Sequence, residues 1–170
     1  MDSKNLNKQS GFTLVELLVV IAIIGILTAI GVPMYSGYQS SAKASATKQN
    51  FDSMKTFIAG EVTKCSAGLV TALNDAKGGT AVTCPTDLST KGLAYFRAYA
   101  TATIKNPYNS SATGTGVVST AVPTADGVLG IFNDQTCDNG NGIAIQTYLT
   151  DPKTGTAAVY PTALDCIQLQ

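Results

Sequence analysis

Glu16 is the single charged residue among positions 12–34, an otherwise apolar run. A carboxylate at the centre of a membrane helix costs roughly 2.5 to 3.5 kcal/mol on insertion scales, and a place near one end lessens that cost without removing it. Such an acid needs a partner. Elsewhere the chemistry-bearing residues are sparse. The chain has no His and no Trp, which removes the commonest general base and the commonest zinc nitrogen ligand. Four cysteines, Cys65, Cys84, Cys137 and Cys166, all follow the apolar run. No C-x-x-C pair occurs, so zinc-ribbon and thioredoxin spacings are missing. An even count in a segment that would be exported points to two disulfides and an oxidising compartment. Three connectivities are open. Sequential pairing, Cys65–Cys84 and Cys137–Cys166, is expected because each closes one local loop, worth roughly 3 to 4 kcal/mol in the chain-entropy model.

Asn133, Asp134, Asp138, Asn139 and Asn141 gather oxygens around Gly140 and Gly142, and calcium takes such ligands. Their spacing departs from the EF-hand pattern, so they are read as an Asn/Gly turn between strands, and no metal site is expected. No phosphate loop or nucleophile motif is present, and the chain is expected not to be an enzyme and to need no cofactor. Eleven basic and eleven acidic residues cancel, leaving no field to attract nucleic acid or anionic lipid and no local patch for DNA.

The elements that would position these groups begin with the apolar run. Leu17 to Met34 is uncharged, and a helix over Phe12–Met34 would reach about 34 Å, enough for a bilayer core of roughly 30 Å. A helix that is apolar on every face does not fit the core of a domain this small. Pro33 cannot donate to the Ala29 carbonyl, and with Gly25 and Gly31 it makes Gly25–Pro33 the least robust part of the span. Before the run lies a short polar leader, MDSKNLNKQSG, carrying Lys4 and Lys8. A secretory signal would be cut after the apolar region, and Ala42-Lys43-Ala44 offers such a site. The apolar core is longer than such signals need, and it contains an acid. A plain signal anchor for an enzyme or binding protein explains the length but not Glu16.

Gly11-Phe12-Thr13-Leu14-Val15-Glu16, followed by the apolar helix through Gly25 and Pro33, resembles the class III prepilin signal of type IV pilins and pseudopilins. The resemblance covers about 25 residues at fixed offsets. It implies cleavage between Gly11 and Phe12 by a prepilin peptidase, N-methylation of Phe12, and Glu16 meeting the new Phe12 ammonium of a neighbouring subunit. Residues 1–11 would then be a removed leader, 12–34 the transmembrane and polymerisation helix, and 35–170 the exported head. The implied partners are identical subunits, the pilus assembly machinery and the cytoplasmic membrane before extrusion. The implied function is a type IV pilus subunit for adhesion, motility or DNA uptake, with a type II secretion pseudopilin as the alternative.

Past Pro33 the pattern stays helical to about Thr63, with apolar or small residues at 35, 38, 42, 46 and then 51, 54, 58, 62 forming one stripe. Tyr35, Tyr38, Phe51 and Phe57 are read as packing groups rather than an electron path. Residues 65–85 read as a loop, and 87–105 as a short helix carrying Leu93, Phe96, Ala100 and Ile104. Residues 106–116 read as a turn and surface loop; Asn109-Ser110-Ser111 is discounted as a glycosylation site. Gly116–Val122, Gly127–Phe132, Gly142–Leu149 and Thr156–Tyr160 read as four strands joined by hairpin signals. The expected fold is therefore α+β: one long helix, apolar in its first half and amphipathic in its second, covering an antiparallel sheet. That is also the type IV pilin plan, in which the segment between Cys137 and Cys166 would be a surface loop.

Overall fold

Helix α1 runs unbroken over Leu14–Ser66, 53 residues, through Pro33. Leu, Ile, Ala and Val supply its first half, and nothing between Pro33 and Ser66 forbids the helical backbone. It stops at Gly68, whose φ of 66° only glycine adopts without strain. There Leu69 N–H donates to the Lys64 carbonyl at 3.0 Å and Gly68 N–H to the Cys65 carbonyl at 3.2 Å, the paired closing bonds of a Schellman cap. The computed structural model describes residues 11–74, 81–137 and 142–169. The chain divides after Gln39 into two units, which are described separately below.

In the unit that begins at Ser40, α1 buries Ala44, Thr47, Phe51, Met54, Ile58, Val62 and Cys65 on one face. The stripe thus keeps one helical phase from Phe51 back through Thr47 and Ala44. This corrects the expected 35, 38, 42, 46 set, which slips phase by the five-residue step from 46 to 51; Ala42, Tyr35 and Tyr38 are exposed. Strands β1 (Ala72–Leu73) and β2 (Val82–Thr83) pair antiparallel, a short ladder where the sequence suggests only loop. Helix α2 (Leu88–Thr103) buries Leu88, Tyr95, Phe96 and Ala100. Phe57 of α1 stacks on Tyr99 at 4.0 Å between ring centroids and meets Phe96 edge-on at 6.3 Å, which locks the two helices.

Four further strands form one sheet in the order β3 (Val118–Ser119), β4 (Leu129–Asn133), β5 (Gly142–Thr150), β6 (Ala157–Gln168). The sheet is mixed rather than wholly antiparallel, because β3 runs parallel to β4. A hairpin does not form between them. The connecting chain instead crosses back over β4, bringing Pro123 and the Ala121 carbonyl to within 3 Å of where a side chain at Gly130 would begin. The expected seven-residue strand at 116–122 accordingly shrinks to two residues. The last strand is longer than expected. Residues 161–164 make an excursion opposite the single residue Gln146, whose side-chain amide donates to the Pro161 carbonyl at 3.2 Å, and pairing then resumes at Asp165.

Alternation sorts the strands into two faces. Leu129, Ile131, Ile143 and Ile145 join the core shared with α1 and α2. Phe132, Ala144 and Cys137 form a smaller cluster with Leu164. Each fully buried large apolar side chain contributes about 1.5 to 3 kcal/mol, so the larger cluster dominates. Two disulfides staple the margins. Cys65–Cys84 ties the last turn of α1 to the segment before α2, and Cys137–Cys166 ties the end of β4 to β6, with Cα separations of 5.2 and 5.5 Å, within the usual span.

Candidate functional site

In the first unit, Thr13 and Glu16 organise the head of α1. The Thr13 N–H and hydroxyl both donate to Glu16 Oε2, at 2.9 and 2.7 Å, and Glu16 N–H donates back to the Thr13 hydroxyl at 3.3 Å. This is a capping box, a Thr followed three residues later by a Glu, each satisfying a backbone donor that the helix start leaves orphaned. The signal for it stands in the sequence as Thr13-x-x-Glu16. Oε1 accepts no bond among the described residues, so the cap leaves half of the carboxylate free. Gly11 and Phe12 precede the helix, and Phe12 is 89% exposed.

Beyond Glu16 the helix turns apolar side chains to every side without covering any of them. Leu17, Leu18, Val19, Val20, Ile21, Ile23, Ile24, Ile26, Leu27, Ile30 and Val32 are all half or more exposed. α1 is the one helix among the described residues long and apolar enough to cross a membrane. Patches far smaller than this mark surfaces meant for lipid or protein. Apart from their own neighbours and surrounding helix backbone, Gly25 and Gly31 have no described atom within 4 Å of a side chain's starting point. Their smallness therefore serves nothing inside this unit. Beside Gly31 lies a shallow recess bordered by Ile24, Leu27, Val32 and Tyr35, of a form that receives a side chain from another helix. Thr28 turns its hydroxyl back onto the Ile24 and Gly25 carbonyls at 2.9 and 3.1 Å, so its polar atom stays satisfied inside the helix. Ala42-Lys43-Ala44, the alternative cleavage site, lies inside α1 with Ala44 buried.

In the second unit the polar residues serve the fold. Among the described residues no three Cys, Asp or Glu side chains gather as metal ligands. Asp134 of the proposed oxygen cluster accepts from the Thr136 N–H and hydroxyl at 2.9 and 2.6 Å, which holds its carboxyl below the usual range. Asp138, Asn139 and Asn141 lie outside the described residues. Asn109 of the sequon accepts from Ser111 N–H at 3.2 Å. Two residues that sequence reasoning passes over hold the loops together. Asn106, 5% exposed, donates to the Gly116 and Asp126 carbonyls at 3.0 Å each and accepts from the Tyr108 and Asn109 N–H groups. Arg97 donates through Nε to the Ile131 carbonyl at 2.7 Å and through a terminal nitrogen to Thr120 at 3.4 Å. It takes up a β4 carbonyl just past the end of the two-residue β3.

The described residues thus place a capped acid at the head of an uncovered apolar helix that is long enough to cross a membrane. The comparisons name the class. Residues 6–32 match the family model described as the prokaryotic N-terminal methylation motif. The chain is 51% identical over 53 residues to a fimbrial protein of Moraxella nonliquefaciens, covering 31% of this chain and 34% of that one. It is 47% identical over 53 residues to prepilin peptidase-dependent protein D of Escherichia coli, covering 31% and 36%. Over 53 residues it is 45% identical to the type IV major alpha-pilin of Moraxella bovis, covering 31% and 33%. The N-terminal region of the chain is similar to that of these fimbrial and pilin proteins, and the matched stretch spans about a third of each of them. No solved structure matches the chain.

Proposed function

We propose that the chain is a structural subunit of a type IV pilus, stored as a single-pass protein of the inner membrane and assembled with identical subunits into an extracellular filament. The observation that carries this is Gly11-Phe12-Thr13-x-x-Glu16 set at the head of a helix whose apolar residues have no cover among the described residues. Prepilin peptidase cuts between Gly11 and Phe12 and methylates the Phe12 amine. That amine has a reference pKa of about 7.7 to 8.0 and carries positive charge over much of the physiological range. Thr13 occupies one oxygen of Glu16, so Oε1 remains for the Phe12 ammonium of a neighbouring subunit. A charge that is costly in lipid then becomes paired on docking, and it specifies axial register more than it adds stability. Gly25 and Gly31 admit close approach of neighbouring helices, and Pro33 lets the backbone yield there. Adhesion, motility and DNA uptake are the roles that follow from such a filament.

The intact mass of protein sheared from the cell surface tests the reading. The expected species starts at a methylated Phe12 and is four hydrogens lighter for two disulfides. A chain starting at Ser45 points to ordinary secretion and overturns the proposal. A correctly processed chain that never appears in sheared filaments assigns it to a secretion pseudopilus instead.

A further inference from the structure

The second unit contains a groove of about 300 Å³ between α1 and the hairpin that joins β5 to β6. Ser41, Ser45 and Lys48 line it from consecutive turns of α1, and Lys153 lines it from the hairpin. These groups share an unspent bonding capacity. Lys55, Lys64 and Lys91 each meet a carboxylate, at Asp165, Glu61 and Asp87. Lys48 meets no carboxylate among the described residues and rests over the Tyr160 ring, 5.0 Å from its centroid, while Lys153 is drawn electrostatically to Asp151 without a close ion pair. Nor do the Ser41 and Ser45 hydroxyls make a bond among those residues. The acid of the groove, Asp151, is committed to its own loop: Oδ1 accepts from Lys153 N–H at 2.8 Å, and that bond with those of Thr154 holds its carboxyl below the usual range. Two ammonium groups against one carboxylate leave one positive charge, beside hydroxyl donors and an apolar margin of Ala44, Leu149 and Pro152.

We infer that this groove binds the phosphate of a phospholipid headgroup. A phosphodiester carries one negative charge and accepts from ammonium and hydroxyl donors, and the apolar margin suits the glycerol and first acyl carbons beside it. The source is lipid rather than free phosphate because Ser41 follows Met34 by seven residues. Chain length alone therefore keeps the groove within about 25 Å of the end of the apolar segment. The inference rests on the reading of that segment as a membrane span. Headgroup binding would fix how deep the unassembled subunit sits, and the contact would have to be released on extrusion.

The test uses the full chain purified in detergent and a double variant, Lys48→Gln with Lys153→Gln. Native mass spectrometry after titration with phosphatidylglycerol reads retained lipid, and flotation with phosphatidylglycerol vesicles reads membrane insertion. Two surface lysines predict roughly a thirtyfold loss of lipid affinity in the variant, with flotation equal to wild type. Ser45→Ala should weaken retention further without affecting flotation. A wild-type chain that floats but retains no lipid, or a variant that retains as much, overturns the groove assignment alone. Competition by millimolar glycerol phosphate as effective as by lipid overturns the lipid source. A wild-type chain that fails to float overturns the membrane span and this inference with it.

Discussion

Thr13 and Glu16 close on each other at the head of α1, with both Thr13 donors on Glu16 Oε2 and the Glu16 N–H returned to the Thr13 hydroxyl. The acid therefore has two separable uses, as a cap acceptor and as a charge. Gln can serve the cap but not the charge, and Ala can serve neither. Glu16→Gln should keep the amides of the first turn protected from hydrogen exchange, yet assemble into filaments as poorly as Glu16→Ala. Thr13→Val should do the reverse, losing about 0.5 to 2 kcal/mol of protection in that turn while assembly falls much less. If Glu16→Gln subunits assembled as well as wild type, the charge would have no part in register.

Asn106 is the knot of the second unit, since its side-chain amide uses all four of its bonds on Gly116, Asp126, Tyr108 and Asn109. Asn106→Leu leaves the part-buried Gly116 and Asp126 carbonyls and the Tyr108 N–H unpaired, while the Asn109 N–H keeps the Asn106 backbone carbonyl, and it should cost about 2 to 4 kcal/mol. Gly127 lies against it with φ of 77°, and a methyl there would come within 2.1 Å of Asn106 Oδ1. Gly127→Ala should therefore destabilise by a similar amount. Urea unfolding of the full chain in detergent, followed by tyrosine fluorescence, measures both. Because the two residues share one contact, the double variant should lose less than the sum.

What the sequence made legible was the part governed by period and composition. The apolar run, the amphipathic continuation of α1 and the location of α2 follow from spacing, and only the phase of the stripe near Ala44 was misread. The parallel β3–β4 pair was not legible, because it depends on Pro123 lying across Gly130, a contact between residues seven apart that no alternation rule encodes. The continuation of β6 past Pro161 was hidden for a related reason. A proline in a strand reads as an end unless one sees Gln146 holding the excursion. Asn106 looked like an ordinary turn residue, and its importance lies in partners up to 20 residues away. The cap at Thr13 is legible as a Thr-x-x-Glu pattern, but which oxygen of Glu16 it occupies is visible only in the structure.

Arg97 is the sole arginine of the chain, and its neighbours are carbonyls rather than acids. Burial pushes its guanidinium below its ordinary pKa without removing the charge, so its attachment to the Ile131 carbonyl is a charge-assisted bond at 2.7 Å. Arg97→Leu should cost about 1.5 to 3 kcal/mol by freeing that carbonyl, and Arg97→Lys should recover only part of it, since Lys lacks the fork that reaches both Ile131 and Thr120. Exposing the β4 edge should also raise self-association of the unit. Unfolding midpoints and light scattering on the same samples separate the two effects.

Asp87, Asp134 and Asp151 all have carboxyl groups held below their ordinary range: Asp87 first by Lys91, Asp134 by Thr136, and Asp151 first by the Lys153 N–H. A carboxyl depressed in the folded state binds protons less readily than in the unfolded chain. Its contribution to stability is thus complete above the unfolded value near 3.9 and disappears as pH falls through the lower folded value. The urea midpoint should be flat from neutral pH down to about 5 and then decline below about 4. Asp134→Asn retains an acceptor for Thr136 without the charge, so it should lower the neutral midpoint slightly, match wild type at acid pH and thereby flatten part of that decline. A decline beginning near pH 6 would point instead to a group outside these three.

The Cys137–Cys166 bridge closes a separation of 29 residues, and Cys137, with no exposed surface, packs against Phe132 and Ala144. Its removal should therefore act twice, through loop entropy of about 3 to 4 kcal/mol and through loosening of that small cluster. Cys65–Cys84 closes 19 residues and secures the end of α1, where the Schellman cap at Gly68 already fixes the turn. Cys65, 1% exposed, also packs in the larger core, so Cys137→Ser with Cys166→Ser and Cys65→Ser with Cys84→Ser should lower the midpoint by comparable amounts, the chain-entropy terms differing by less than about 1 kcal/mol. Limited proteolysis distinguishes where each variant opens. The first should be cut between positions 133 and 142 while α1 stays intact, and the second near position 70 while the sheet stays intact. Equal losses with cutting at the same place would mean that the unit opens as a whole, and that neither bridge guards a local element.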